Sequence, residues 1–365
     1  MAMSTPLHQL ADHGQSVWID FLSRELLESG ALARAVERDA VVGVTSNPTI
    51  FAKAVSGGAA DDEQIATSDG DATSVFLELV MRDVATACDL LRPVWERTAG
   101  GDGYVSIEVD PTLADDTDAT IAQATHFHHA IARRNLLVKI PATDAGVPAI
   151  EEMTAAGYAI NVTLIFSLTR HRQVAEAYLR GLERLVTSGG DPRRIHSVAS
   201  FFVSRVDSET DRRLAEAGRD DLKGRLGIAN ARLAYQQYKQ LFDGERWDNL
   251  SARGATPQRC LWASTSVKDP SLRDTLYVEE LIGPDTISTM PEETIVAFQD
   301  HGRVEARLES DLDEAHYLFN QLYAAGIDYD DVVATLEREG IEKFVESVDQ
   351  LLKDISNRRH RLAAA

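Results

Sequence analysis

The sequence predicts an α/β protein, a single (β/α)8 TIM barrel with additional C-terminal helices. Short β-branched or apolar runs alternate with longer segments of helical periodicity, as expected of parallel strands joined by helices. Eight such runs can be counted, and eight is the strand number of this barrel. At roughly 150 residues per domain, the 365 residues would allow about two domains, but barrels of this kind can exceed about 250 residues as one domain. The repeated strand–helix pattern therefore favours one closed barrel over two doubly wound domains.

The predicted elements follow one another in regular order. The strands are Ser16–Asp20, Val41–Asn47, Tyr104–Val109, Leu136–Pro141, Ala159–Phe166, Ile195–Phe202, Cys260–Thr265 and Thr286–Met290. The helices predicted between them are Phe21–Val36, Ser74–Leu91, Ala114–Arg133, Thr169–Val186 and Leu226–Phe242. Residues Ala54–Asp71 are rich in Gly, Ala, Asp and Ser, a composition that predicts a surface loop.

The C-terminal region is expected to pack on the barrel. Segments Asp311–Tyr323 and Asp330–Leu352 have apolar residues near helical spacing, and no linker rich in Pro, Ser or Gly precedes them. We therefore expect a single domain over residues 1–365, with a lead-in over residues 1–15 and packed helices within residues 300–365.

Composition narrows the class of protein. The formal net charge is 37 − 58 = −21, which argues against nucleic-acid binding because phosphates require a basic surface. No secretory signal is apparent, and no apolar stretch approaches the roughly 20 residues that span a bilayer. Cys88 and Cys260 are far apart in sequence, which is typical of free thiols in a reducing compartment. We expect a cytoplasmic protein with neither nucleic-acid nor membrane partners.

Polar residues stand near the C-terminal ends of nearly all the predicted strands. Catalytic sites of this fold are built at that end of the barrel, from several strands and the loops that follow them. The polar side chains should therefore converge on one mouth. They are Asp20, Asn47, Glu108, Lys139, Asn161, Thr163, Ser200 and the triplet Ser264-Thr265-Ser266.

Lys139 lies inside the apolar strand Leu136–Pro141. Its side chain either extends to the rim and pairs with an acid, or stays in the barrel, where burial disfavours the charged form. A neutral lysine forms Schiff bases with carbonyls, and carboxylates such as Asp20 and Glu108 can move the protons. Together these residues indicate class I aldol chemistry. Asp20 could instead cap a helix that starts at Phe21, and Glu108 could be a structural partner of the lysine.

Two cations follow polar strand ends. Arg205 and Lys268 could bind a phosphate group, or they could be solvated loop charges. No GxGxxG or GxxxxGK[ST] motif supports nucleotide binding. The only histidine cluster, residues 126–129, falls in a predicted helix, where adjacent positions point in different directions. We predict a solvated helix face there and no metal site.

Five segments together resemble the transaldolase family. In chain order they are Val44–Pro48 (VTSNP), Ser106–Asp110 (SIEVD), Val138–Thr143 (VKIPAT), Asn161–Ser167 (NVTLIFS) and Ala199–Asp207 (ASFFVSRVD). The resemblance reaches from about Ser16 to Pro291, and the longer C-terminal extension resembles the actinobacterial branch. Ordered motifs spread over five strands are far more specific than any one motif alone.

The resemblance implies a (β/α)8 fold and a reversible reaction of the pentose phosphate pathway. A dihydroxyacetone unit would pass from sedoheptulose 7-phosphate to glyceraldehyde 3-phosphate, giving erythrose 4-phosphate and fructose 6-phosphate. Lys139 would form the Schiff base, Asp20 would take and return the proton of the C4 hydroxyl, and Glu108 and Thr163 would position water. The implied substrate-binding residues are Asn47, Asn161, Ser200, Phe202, Arg205, Ser266 and Lys268. No metal or organic cofactor is implied.

Several points stay open from the sequence. Some family members have arginine at the position of Lys268, and an ammonium group does not reproduce the planar guanidinium fork. The main enzymatic alternative is a Schiff-base aldolase that cleaves fructose 6-phosphate without transfer. A different alternative is an inactive barrel that serves as a binding module. The protein could be a monomer or a homodimer.

Overall fold

In the computed structural model, which describes residues 5–46, 49 and 61–363, parallel strands close into a barrel. Each strand pairs with the next along the chain, and the last pairs with the first. The strands are β1 (Gln15–Ile19), β2 (Val41–Val44), β3 (Tyr104–Glu108), β4 (Leu136–Pro141), β5 (Ile160–Ile165), β6 (Ser197–Phe202), β7 (Arg259–Ala263) and β8 (Thr286–Met290). The predicted barrel is confirmed, and each predicted strand overlaps its counterpart.

Helices cover the outside of the barrel and its ends. They are α1 (Pro6–Asp12), α2 (Arg24–Glu28), α3 (Ala31–Arg38), α4 (Asp62–Thr67), α5 (Ala72–Arg97), α6 (Thr117–Ile131), α7 (Gly146–Ala155), α8 (Leu168–Thr187), α9 (Ser204–Glu216), α10 (Leu226–Leu241), α11 (Glu245–Ser251), α12 (Leu276–Glu280), α13 (Glu292–His301), α14 (Leu312–Ala324) and α15 (Tyr329–Ala363). None of the helices described combines the length and the apolar character needed to cross a bilayer.

Alternation along the strands decides which side chains enter the barrel. Trp18, Leu137 and Leu261 are fully buried and belong to one cluster in the barrel interior. Val17 and Val138, their neighbours in sequence, belong instead to the larger cluster between strands and helices. Successive side chains of a strand point to opposite faces, so every second residue after these interior positions also points into the barrel. The polar residues at the strand ends share this inward face.

A close approach inside the barrel explains the glycine in β2. A Cβ atom at Gly43 would lie 2.4 Å from the indole ring of Trp18, which leaves no room for a side chain. The Trp18 ring fills this space, and its Nε1 donates a hydrogen bond to Asp102 at 3.1 Å. Trp262 of β7 is also fully buried.

The segment after β1 differs from its prediction. Phe21–Val36 was expected to be one helix, but the structure has α2 and α3, separated at Gly30, whose φ is 69°. This left-handed backbone conformation favours glycine and ends the helical path. The alternative in which Asp20 caps a helix starting at Phe21 is not what the structure shows. Ser23 is the N-cap of α2, and its side chain accepts a hydrogen bond from the backbone N–H of Leu26.

The structure also differs from two predictions about the protein surface. The loop predicted for Ala54–Asp71 contains α4, whose Ile65 is fully buried against the core, while residues 54–60 lie outside the described residues. The histidines at 126–129 do not all face solvent. His128 stacks on Tyr158 with ring centroids 4.7 Å apart, and burial lowers the pKa of His128 to about 4. Apolar contacts that are distant in sequence cause both differences.

The long C-terminal helix α15 packs on the barrel. Near its start, Asp331 accepts a hydrogen bond from Arg213 of α9 at 2.6 Å. Near its end, Arg358 pairs with Asp62 of α4 at 2.5 Å. The buried face between these ends includes Leu336, Gly340, Phe344 and Val348. The helix therefore runs across the end of the barrel at which the polar strand ends meet.

Candidate active site

A cavity of about 540 Å³ opens at the C-terminal end of the strands. Most of the predicted site residues line it: Asp20, Lys139, Ser200, Phe202, Arg205, Ser266 and Lys268. Glu108, Asn161 and Thr163 are not among its lining residues, but Glu108 contacts Lys139 and Asn161 accepts a hydrogen bond from Ser200. Asn47 lies outside the described residues. The structure thus brings side chains from several separate strands and loops to one mouth.

Lys139 and Glu108 form a buried ion pair. Their side chains are 5% and 3% exposed, and Lys139 Nζ lies 3.2 Å from Glu108 Oε2. The two residues are register partners in the pairing of β3 with β4, so the sheet itself sets their contact. Lys139 Nζ also donates a hydrogen bond to the backbone oxygen of Ser46 at 3.1 Å. Extension of the lysine to the rim is therefore wrong, although its pairing with an acid is observed.

The environment of Glu108 favours its protonated form. Burial raises the pKa of Glu108, and the Lys139 charge acts in the opposite direction. A carboxylate next to an ammonium and largely removed from water is able to accept its proton. The nucleophilic form of lysine is the neutral amine, and Glu108 is the carboxyl group placed to receive the proton that the ammonium gives up.

Asp20 follows β1 directly and lines the same cavity. Thr45 Oγ1 donates a hydrogen bond to Asp20 Oδ1 at 2.9 Å, and the same hydroxyl lies 2.8 Å from Thr289 Oγ1. Burial raises the pKa of Asp20, opposed by Lys139, by the Thr45 bond and by Arg205. Two carboxyl groups thus flank the lysine site in different surroundings, which is how one site obtains two acid–base roles.

Arg205 brings a positive charge to the cavity from the first turn of α9. Its guanidinium lies over the ring of Phe202, with Cζ 5.2 Å from the ring centroid. Among the described residues, none forms a hydrogen bond or ion pair with this guanidinium. Burial lowers the pKa of Arg205, opposed by Asp20, Glu108 and Glu339. The N–H groups of Arg205 are therefore free to bind an anion in the cavity.

A chain of polar side chains lies beneath the lysine. Ser200 Oγ donates to Asn161 Oδ1 at 2.7 Å, and Asn161 Nδ2 donates to Ser106 Oγ at 3.0 Å. These bonds fix the amide orientation of Asn161, the register partner of Lys139 in β5. Ser200 alone of the three lines the cavity.

Thr163 is fully buried two residues further along β5 than Asn161. Within the described part of the chain, its hydroxyl has no hydrogen-bond partner. Leu164, next to it, has φ of 57°, where the β5–β6 register shifts between Val162 and Ile165. A positive φ at a leucine is strained, and such strain clusters at functional sites. An unpaired buried hydroxyl near the end of a barrel strand is suited to hold a water molecule or a substrate oxygen.

Ser266 and Lys268 line the outer part of the cavity after β7. Lys268 Nζ donates a hydrogen bond to Ser266 Oγ at 2.6 Å, and the lysine is exposed. The loop begins at Ser264, which also has a positive φ, 56°. The two cations of the mouth are therefore unequal, because Arg205 is partly enclosed by aromatic rings whereas Lys268 is open to solvent.

Some residues of the cavity were not predicted. Thr45 and Thr289 hold Asp20 in place, and both stand at strand ends, where the rule of polar strand ends would have found them. Phe344 lines the cavity from α15, far along the chain. No local sequence pattern predicts that Phe344 lines the cavity, because the tertiary packing of α15 places it there.

The family model for Transaldolase/Fructose-6-phosphate aldolase matches residues 17–355 of the chain. This chain belongs to that family. The match includes β1 to β8 almost entirely and most of α15, so it covers all the strand ends that form the cavity. Because the family is one of enzymes, this chain is an enzyme, and the cavity at the barrel mouth is its candidate active site.

Three curated relatives carry the name Transaldolase and cover nearly the whole chain. The protein of Arthrobacter sp. strain FB24 is 51% identical over 360 residues, which cover 97% of both chains. That of Saccharopolyspora erythraea is 50% identical over 97% of this chain and 98% of its own. That of Acidothermus cellulolyticus is 49% identical over 98% of both chains. The expected likeness to the actinobacterial branch is confirmed.

Proposed function

We propose that this enzyme is a transaldolase of the pentose phosphate pathway. It transfers a dihydroxyacetone unit from sedoheptulose 7-phosphate to glyceraldehyde 3-phosphate, giving erythrose 4-phosphate and fructose 6-phosphate, and the reaction is reversible. The observation that carries this proposal is the buried Lys139–Glu108 pair, which shares one mouth with Asp20 and Arg205. The family match and the names of the relatives support it.

The reaction begins at Lys139. Glu108 takes the proton of the ammonium, and the neutral amine adds to the C2 carbonyl of the ketose to form a carbinolamine. Loss of water gives the Schiff base, and Glu108 with Thr163 positions that water. The pKa of Glu108, which burial raises, supports its role, because a more basic carboxylate accepts a proton more readily and can return it.

Carbon–carbon bond cleavage then requires a second base. Asp20 accepts the proton of the C4 hydroxyl while the C3–C4 bond breaks and its electrons move into the protonated imine, which leaves an enamine on Lys139. The aldose product departs, and the enamine attacks the aldehyde of the acceptor. Asp20 returns the proton to the new hydroxyl. Hydrolysis of the Schiff base releases the new ketose and restores the amine.

The other residues bind substrate. Arg205 holds the terminal phosphate, with Ser266 and Lys268 beside it, and Phe202 supports the guanidinium. Ser200 and Asn161 orient the hydroxyls of the retained three-carbon unit, and Asn47 has the same role. The ordered Ser200–Asn161–Ser106 bonds support this assignment, because they fix which amide atom faces which partner.

We also propose that residues 1–365 form one domain, in which 1–15 lead into the barrel and the helices of 300–365 belong to it. The contacts of Arg213 with Asp331 and of Arg358 with Asp62 support this view. We propose a cytoplasmic enzyme, monomeric or homodimeric. The free, buried thiols of Cys88 and Cys260 are consistent with a reducing compartment.

The product mixture tests the proposed function. Purified enzyme receives fructose 6-phosphate, with or without erythrose 4-phosphate as acceptor. A transaldolase forms sedoheptulose 7-phosphate and glyceraldehyde 3-phosphate together in the presence of the acceptor and releases little dihydroxyacetone without it. Rapid release of free dihydroxyacetone without acceptor would show instead an aldolase that cleaves fructose 6-phosphate.

A further inference from the structure

The C-terminal helix α15 contributes an aromatic ring to the cavity. Phe344 is 2% exposed, lines the cavity, and has its ring centroid 5.8 Å from Cζ of Arg205. Phe202 of β6 approaches the same guanidinium at 5.2 Å. Two rings from distant parts of the chain therefore contact one cation.

The position of Phe344 is fixed on both sides along α15. One turn earlier, a Cβ atom at Gly340 would lie 3.1 Å from Leu164 Cδ2, so glycine lets the helix approach the end of β5 closely. One turn later, the hydroxyls of Ser347 and Thr49 are 2.7 Å apart. These contacts tie the helix to the rims of β5 and β2, and Phe344 lies between them.

The ring of Phe344 supplies an attraction for the Arg205 guanidinium, which has no hydrogen-bond or ion-pair partner among the described residues. Removal from water disfavours the charge of Arg205. The negative faces of aromatic rings attract a guanidinium without occupying its N–H groups. A carboxylate in the same place would hold Arg205 equally well, but it would compete with an incoming phosphate for the donors.

We propose that Phe344 is a positioning residue for the phosphate end of the substrate. Together with Phe202 it holds the Arg205 guanidinium in place at the cavity and leaves its N–H groups unoccupied, so α15 helps to determine the preference for phosphorylated over unphosphorylated sugars. This inference rests on the proposed function only in the identity of the sugar. The anion preference itself can be measured without the reaction.

The test compares Phe344→Leu, which keeps apolar volume and removes the ring, with Phe344→Tyr, which keeps the ring. With fructose 6-phosphate and erythrose 4-phosphate, Phe344→Leu should raise KM for fructose 6-phosphate about fivefold with little change in kcat, as expected for loss of one cation–π contact. The kcat/KM for unphosphorylated fructose as donor should not change. Phe344→Tyr should behave like the wild type in both assays.

Leu336→Ala is the matched control on the same helix. Leu336 is buried but is not among the residues that line the cavity, so the variant loosens α15 packing without removing a ring from Arg205. Its ratio of kcat/KM for the two donors should equal that of the wild type. The kcat/KM ratio of Arg205→Ala for the two donors gives the value expected when phosphate recognition is lost completely. If Phe344→Leu fails to fold, Phe344→Met serves for the same comparison.

Calorimetric titration with inorganic phosphate gives a readout that is independent of turnover. Phe344→Leu should bind phosphate more weakly than the wild type, and Leu336→Ala should not. If the wild type lacked transfer activity but this difference remained, the proposed function would fail and the role of Phe344 would stand. Equal losses for both donors, or unchanged phosphate binding in Phe344→Leu, would overturn the role of Phe344.

Discussion

At the scale of single residues, the central feature is a buried ion pair in which each charge stabilises the other. A buried ammonium without a counter-ion is costly, and so is a buried carboxylate. Lys139 and Glu108 satisfy this requirement at 3.2 Å. The same contact is the one through which we propose that the proton passes from Lys139 to Glu108, so one arrangement both stabilises the buried charges and serves the proposed nucleophile.

Glu108→Gln tests that proton transfer. Glutamine keeps the shape of the side chain but cannot accept a proton, so we expect kcat to fall about 10²- to 10⁴-fold, the usual range for loss of a general base. The measurement is kcat for transfer from fructose 6-phosphate to erythrose 4-phosphate. Glu342→Gln, an exposed change of the same kind on α15, is the control and should retain full activity. A Glu108→Gln enzyme with unchanged kcat would remove Glu108 from the mechanism.

At the scale of secondary-structure elements, Asp207 joins three helices close in sequence to Arg205. It lies on α9 two residues after Arg205 and accepts hydrogen bonds from Gly227 N of α10 at 2.6 Å and from Tyr277 OH of α12 at 2.9 Å. Burial raises the pKa of Asp207 to about 7, opposed in part by the hydrogen bond from Gly227. The packing of α9 therefore depends on a carboxyl group that titrates near neutral pH.

The sign of the pH effect follows from the raised pKa of Asp207. In the unfolded chain an aspartate ionises near pH 4, whereas folded Asp207 holds its proton up to about pH 7. Between these values the native state binds more protons than the unfolded state. The contribution of Asp207 to the free energy of unfolding therefore falls as pH rises through this window, by up to about 1.4 kcal/mol per pH unit.

Asp207→Asn should remove this dependence, because asparagine does not ionise and can still accept the bond from Gly227. Urea unfolding at pH 5, 6.5 and 8 gives the free energy of unfolding of the variant and of the wild type. We expect the variant to gain stability relative to the wild type as pH rises. A difference that stays constant over the three pH values would show that Asp207 does not titrate in this window.

Elements that depend on local pattern were predictable from the sequence, and elements that depend on distant contacts were not. The eight strands were found because their β-branched runs are buried on both faces and bounded by polar ends. The break at Gly30 does have a local signal, since Ser29-Gly30 is a turn-forming pair, but one helix was still predicted over Phe21–Val36. The helix α4 was missed because its only strong signal is one buried isoleucine in a polar segment.

The site residues also divide into those that a local pattern predicts and those that only distant contacts bring into place. Lys139, Asp20 and Arg205 could be found because each stands at or beside a strand end, where this fold gathers its chemistry. The two rings around Arg205 show which contacts a local sequence pattern can predict and which it cannot. Phe202 belongs to β6 and was predicted, whereas Phe344 reaches the same cation from α15 after more than a hundred intervening residues, and no spacing in the sequence predicts that contact.

At the scale of the whole molecule, a net charge of −21 belongs to a chain for which we propose anionic sugar-phosphate substrates. The long-range field of the chain opposes the approach of an anionic sugar, while Lys139, Arg205 and Lys268 act at short range inside the mouth. Screening distinguishes these ranges, because the Debye length falls from about 30 Å at 0.01 M salt to about 8 Å at 0.15 M.

We therefore expect kcat/KM for fructose 6-phosphate to rise when sodium chloride is increased from 0.01 to 0.15 M. The added salt screens the distant negative charge more than the contacts within the cavity. Unphosphorylated fructose, which carries no charge, is the control substrate and should show no such rise. A steep fall for fructose 6-phosphate would mean that positive charge steers the substrate from a distance.

The most direct test of the whole account is covalent trapping at Lys139. The enzyme is incubated with fructose 6-phosphate, reduced with borohydride, digested and analysed by peptide mass spectrometry. We expect a reduced three-carbon adduct on the peptide that contains Lys139, and we expect Lys139→Ala to give neither adduct nor transfer to erythrose 4-phosphate. An adduct on another lysine, or full transfer activity in Lys139→Ala, would contradict the mechanism.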